Sequence, residues 1–136
     1  MTPEQQERLR GGIAELRSGR FRQGLGKLHR IREDGTEEWC CLGVLSDYAA
    51  RNGCPVGREI LEDGPGNYER FGSQEDEYLS DEVQQWYGFS YSDPYLNTAS
   101  DTNLRASFWN DRGAVGGGDF NAIADGFERT FLAEEG

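Results

Sequence analysis

Two adjacent thiols within the apolar run Trp39-Cys40-Cys41-Leu42-Gly43-Val44-Leu45 constrain this chain more than any other feature. A turn signal at Asp34-Gly35 precedes the run, so it reads as the end of a hairpin strand passing directly into a buried helix. A bridge between neighbouring cysteines is strained, and the third, Cys54, leaves an odd count. The expectation is a reduced, cytosolic protein that folds without disulfides.

The flanking segments follow from local signals. Thr2, Pro3 and Gln5 form an N-cap, a first-turn proline and a capping-box partner, so a helix begins at Pro3. Leu9, Ile13 and Leu16 give it an apolar face and leave Glu4, Arg8, Glu15 and Arg17 mostly outward, until Ser18-Gly19 stops it. Gly24 and Gly26 mark bends before a strand over Leu28–Arg32. Reading Asp34-Gly35 as a two-residue turn makes Thr36–Cys40 the return strand, with His29 facing Cys40 and Arg30 facing Trp39. The next helix presents Leu42, Val44, Leu45, Tyr48 and Ala49, and ends near Asn52-Gly53.

From Cys54 to Leu79 the chain is acidic, glycine-rich and weakly periodic, which predicts loops and short strands around a turn at Glu62–Asn67. Ser80 caps a short helix that Gly88 stops, and Phe89-Ser90-Tyr91 reads as extended before Asp93-Pro94. A helix is expected over Asp101–Asn110, and another from Asp119, where Phe120, Ile123, Ala124, Phe127 and Phe131 form an apolar stripe. With no repeat or linker, residues 1–136 read as one α+β domain, helices packed around a small antiparallel sheet.

Charge narrows the function classes. The chain carries 25 acidic and 14 basic residues, a formal net charge of -11, so its average surface repels phosphate backbones and argues against duplex nucleic acid as a partner. No apolar stretch approaches the roughly 18 residues of a membrane span, and the N-terminus lacks a secretory pattern. Eight bases from Arg8 to Arg32 nevertheless precede an acidic stretch from Glu59 to Glu82. That asymmetry suits either ordinary solvated surfaces or one positive face for a small anion.

Four constellations carry possible chemistry. Cys40 or Cys41 with His29, the only histidine, would make a nucleophile if the helix N-terminus and imidazole lowered a thiol pKa; the competing reading is that both cysteines pack. The same three residues with Cys54 supply soft metal ligands without the paired spacing of a zinc site, so no metal and no cofactor are expected. Gly116-Gly117-Gly118 precedes a helix, but Asp119 suits an N-cap there better than an anion neighbour. Trp109-Asn110-Asp111 sets an aromatic platform beside two hydrogen-bonding side chains, and reads equally as a ligand site or as a helix C-terminus.

Several of these motifs occur together and in order: Ser18–Gly24 with Leu28, the Cys-Cys-Leu-Gly-Val-Leu centre, the Leu79-to-Trp86 helix, Asn110-Asp111, and Phe120-Asn121-Ala122-Ile123-Ala124-Asp125. In that order they resemble a family of small bacteriophage and prophage accessory proteins. This chain departs in its glycine insert before Asp119 and in Ser46, where a third cysteine is the expected residue. The resemblance implies action in the cytoplasm of a bacterial host. It leads to a non-catalytic binder that sequesters a small polar or nucleotide-like immune signal through Arg30, Trp109, Asn110 and Asp111. The alternatives are an acidic inhibitor whose Glu59–Glu82 face meets a host protein, and a cysteine-dependent hydrolase or transferase using Cys40, Cys41 and His29.

Overall fold

Helix α1 (Pro3–Arg17) starts where its capping residues dictate. Thr2 Oγ1 accepts from Gln5 N at 3.1 Å, and the Gln5 side chain accepts from Thr2 N at 2.9 Å. The computed structural model describes residues 1–72, 76–100, 102–112 and 118–132. Leu9, Ile13 and Leu16 face the core as their spacing predicts, but Glu15 is buried with them instead of lying outward. Arg20 and Arg51 close over its carboxylate, so the charge enters the protein already compensated.

A four-stranded antiparallel sheet is built from two hairpins. Strands β1 (His29–Ile31), β2 (Glu37–Trp39), β3 (Arg58–Asp63) and β4 (Gly66–Phe71) lie in the order β2-β1-β4-β3. The expected register of the first hairpin is off by one residue. His29 pairs with Trp39 rather than Cys40, and Arg30 with Glu38 rather than Trp39. The connection is one residue longer than a two-residue turn: Arg32 N donates to Thr36 O at 2.8 Å, and Gly35, at φ 88°, supplies the left-handed step. Asp34 Oδ1 stabilises it by accepting from Thr36 N at 2.9 Å. The slip stacks the rings of His29 and Trp39 face to face, 3.6 Å between centroids and 7° from parallel. The second hairpin runs six residues a side around Gly64-Pro65, longer than the short strands expected there.

Helix α2 (Cys41–Arg51) follows directly on β2 and packs against α1, and α3 (Asp81–Tyr87) is capped by Ser80 and closed by Gly88 at φ 85°, as the sequence predicts. Tyr87, fully buried, donates its hydroxyl to Leu45 O at 2.6 Å and so satisfies its one polar atom inside the core. Phe89-Ser90-Tyr91 is not a strand, and the chain bends at Ser90 and Tyr91; β5 (Tyr95–Asn97) and β6 (Asn103–Arg105) follow, paired with each other. Consequently α4 (Ala106–Arg112) starts later than the expected Asp101, which lies outside the described residues. Asp93 sets that start: its carboxylate accepts from Ser107 N at 2.9 Å and from Ser107 Oγ at 2.5 Å. Helix α5 (Phe120–Phe131) begins at its Asp119 cap and buries Phe120, Ile123, Ala124 and Phe127. The architecture is α+β.

Candidate functional site

The thiols sit at the N-terminus of α2, as the sequence suggests, but burial takes them largely out of water. Cys40 and Cys41 are buried, and Cys41 Sγ lies 3.6 Å from Ala106 O. Burial pushes the Cys40 thiol up to about 12, outweighing the backbone N–H groups of Gly43 and Leu42 that favour its thiolate. Cys41 is raised well above its ordinary value by the same burial. Cys54 rises to about 11, again through burial first. The helix N-terminus therefore loses to desolvation, and these groups are thiols at neutral pH.

His29 is occupied elsewhere. Its Nδ1 lies 2.8 Å from Glu69 Oε1 and its Nε2 2.6 Å from Glu37 Oε1, so both ring nitrogens already have a carboxylate partner. The pair continues through the molecule as an alternating row of charges. Glu69 holds Arg58 at 2.6 and 2.9 Å, Arg58 reaches Asp47 at 3.0 Å, and Asp47 holds Arg51 at 2.8 Å. Arg51 and Arg20 then share Glu15. The row ties α1 and α2 to all four strands of the sheet. Among the described residues no group of three or more His, Cys, Asp or Glu is arranged to hold a metal ion.

This row fixes the acid response. Burial pushes the Glu69 carboxyl up, but hydrogen bonds from His29 and Arg58 outweigh it and hold the group below its ordinary value. Burial opposes Arg20 and Arg51 at Glu15 in the same way, with the same net lowering. A carboxylate depressed in the fold stabilises it above its unfolded pKa, and that stability is lost as pH falls through the depressed value. The urea midpoint should therefore hold down to about pH 4.5, the ordinary glutamate value, and fall below it. Glu69→Gln should flatten this acid limb; an unchanged slope would remove Glu69 from the explanation.

Asn110 is fully buried and its amide is fully engaged. Oδ1 accepts from Cys41 N and from Gln23 Nε2, both at 3.0 Å, while Nδ2 donates to Gly24 O at 2.9 Å. Asn110 thus caps α2 from α4, because Cys40 offers that helix no side-chain cap. Trp109 is buried against the backbone of Gly126 and Gly118, where a Cβ would overlap its indole. Asp111 accepts from Gly26 N at 3.3 Å and lines a small cavity of about 150 Å³ with Cys40, Glu77, Tyr78 and Ser107.

The four expected ligand residues do not converge. Trp109 lines one cavity, with Arg112 and the hydroxyls of Thr98, Ser100 and Thr102, and Asp111 another. Arg30 belongs to a third, an open groove of about 490 Å³ between the two hairpin turns. Arg30 and Arg32 stand on it beside Glu33, Asp34, Pro65 and Gly66. Gly66 brings the second turn close, since a Cβ there would lie 2.6 Å from Ile31 O. Arg32 Nε and Nη2 hold Glu38 at 2.9 and 2.6 Å, which leaves its remaining donors for the groove. The sequence marked Arg32 only as one of the early bases, because nothing local announces that two turns meet.

A family model described as a domain of unknown function (DUF8296) matches residues 5–131, from the first turn of α1 to the last residue of α5. No curated protein and no solved structure matches the chain. No helix among the described residues is long and apolar enough to cross a membrane.

Proposed function

The chain belongs to this DUF8296 family, and from that premise we propose a non-catalytic binder of a small, anionic, nucleotide-like ligand, held in the groove between the hairpin turns. One observation carries the reading: Arg30 and Arg32 stand together in an open groove of about 490 Å³, within the size range of small-molecule sites. Their guanidiniums suit a phosphate or similar anion. Glu33 and Asp34 on the same rim suit the N–H groups of a base, and they disfavour a long polyanion. The raised thiols and the doubly held His29 support binding over nucleophilic catalysis. In keeping with the resemblance to bacteriophage accessory proteins, the ligand is a nucleotide-like immune signal sequestered in the host cytoplasm.

Purified protein incubated with cyclic dinucleotides, ADP-ribose derivatives and ordinary nucleotides should show a raised Tm with one ligand class. That ligand should be recovered intact after denaturation. Arg30→Ala with Arg32→Ala should abolish the shift while the unliganded protein keeps a cooperative unfolding transition. Chemically altered ligand would reject the binder, and a shift that survives the double substitution would move the site out of this groove.

A further inference from the structure

The two edges of the four-stranded sheet are treated differently. On the β2 side the chain doubles back: Trp39 N donates to Arg22 O at 2.8 Å, Gly24 N donates to Trp39 O at 2.7 Å, and Gln23 bridges to Trp39. The β3 side has no such cover. Asp63 and Gly66 flank the two-residue Gly64-Pro65 turn as the first bonded pair, so alternation points the backbone groups of Glu59 and Leu61 at β4. Gly72 N donating to Gly57 O at 2.8 Å keeps the same phase. The N–H and C=O of Arg58, Ile60 and Glu62 therefore face outward, and among the described residues no backbone group meets them.

The side chains on this edge are selective. Ile60 is 50% exposed, a large apolar residue at the centre of the bare strand. Glu59 and Glu62 flank it and are exposed, while Arg58 turns its guanidinium to Asp47 and Glu69. Arg70 pairs with Glu59, so the carboxylate left to a partner along the edge is that of Glu62, within a chain of net charge -11. A second copy is a poor occupant: two-fold pairing centred on Ile60 would set Glu62 opposite Arg58, whose charge two carboxylates already hold, and would bring together two chains of net charge -11.

We infer that β3 is a docking edge for an extended, basic segment of a partner protein, which adds a fifth strand to the sheet. The outward N–H and C=O groups of Arg58, Ile60 and Glu62 form the ladder, an apolar partner residue covers Ile60, and a lysine or arginine of the partner meets Glu62. This edge is separate from the arginine groove and requires no small ligand.

The probe is a synthetic peptide alternating lysine and valine, set against one alternating glutamate and valine, with binding followed by fluorescence anisotropy and backbone amide shifts. The lysine peptide should bind, shift the amides of Arg58, Ile60 and Glu62, and leave those of β2 in place; the glutamate peptide should not bind. Ile60→Pro removes an outward donor that the native ladder does not use, so the fold should persist. It should weaken binding about ten-fold, the worth of one lost backbone bond plus the blocked approach. Glu62→Lys, on an exposed side chain, should weaken binding and reduce its salt dependence. Failure of the lysine peptide to bind, or equal binding to Ile60→Pro protein, would overturn the inference. A stable dimer that Ile60→Pro dissociates would also overturn it, by showing a second copy on the edge.

Discussion

Replacing Gly43 with alanine should destabilise the protein by about 3 kcal/mol and lower its Tm by roughly 10 °C, at the upper end for overpacking by one methyl. Gly43 lies in the first turn of α2, and a Cβ there would overlap the backbone carbonyl of Leu28, at the threshold of β1. Backbone cannot rotate away as a side-chain tip can, so helix and strand must separate. That separation breaks the bond from Cys40 N to Leu28 O, 3.2 Å long, and opens the packing around Leu42, Val44 and Leu45, all fully buried. Gly57→Ala is the control. Gly57 has open space where its Cβ would go and no positive φ, so the substitution should fall within about 0.5 kcal/mol of neutral. The pair can be compared by urea unfolding, and similar midpoints for the two variants would mean that α2 does not press on β1 as described.

Local chemistry was legible in the sequence and distant chemistry was not. The caps at Thr2, Ser80, Gly88 and Asp119 each act within one helical turn, and each helix boundary that they mark lies where the sequence placed it. The hairpin at Asp34-Gly35 was legible as a turn but not in its length, because the same dipeptide serves a two-residue loop and a three-residue loop ending in a left-handed glycine. The start of α4 was missed for a different reason: Asp93, fourteen residues earlier than Ser107, supplies its cap. Ordinary helix signals do not reach across that separation.

The charge pattern shows the same limit. Glu15, Asp47, Arg51, Arg58 and Glu69 look in the sequence like the solvated charges of any surface, and only Asp47 with Arg51 has a readable four-residue spacing. In the fold they form one alternating row that ends in His29, with Glu69 and His29 each only 6% exposed. Burial of Glu15 and Glu69 is tolerated because arginines hold both carboxylates, and removing such a partner would leave a buried charge uncompensated. The row also explains why the only histidine serves the sheet: a carboxylate already occupies each of its two ring nitrogens.

Asn110→Ala should cost about 3 kcal/mol, because it orphans two buried backbone groups at roughly 1–3 kcal/mol each and leaves a cavity. The groups are Cys41 N, the uncapped start of α2, and Gly24 O, in the segment that covers the β2 edge. Asn110 therefore joins α4, α2 and the Arg22–Gly24 strip through one amide, and its loss should loosen all three together. Asn110→Asp keeps the acceptor for Cys41 N but loses the donor to Gly24 O and buries a charge, so it should be no milder. Gln23→Ala removes one of the bonds to Asn110 Oδ1 from the other side. Urea unfolding of the two single alanine variants and the double should show non-additivity of about 1 kcal/mol, as expected for contacting partners. The outcome that would return Asn110 to the ligand site is a variant with near-native stability whose Tm no longer responds to the ligand that stabilises the parent protein.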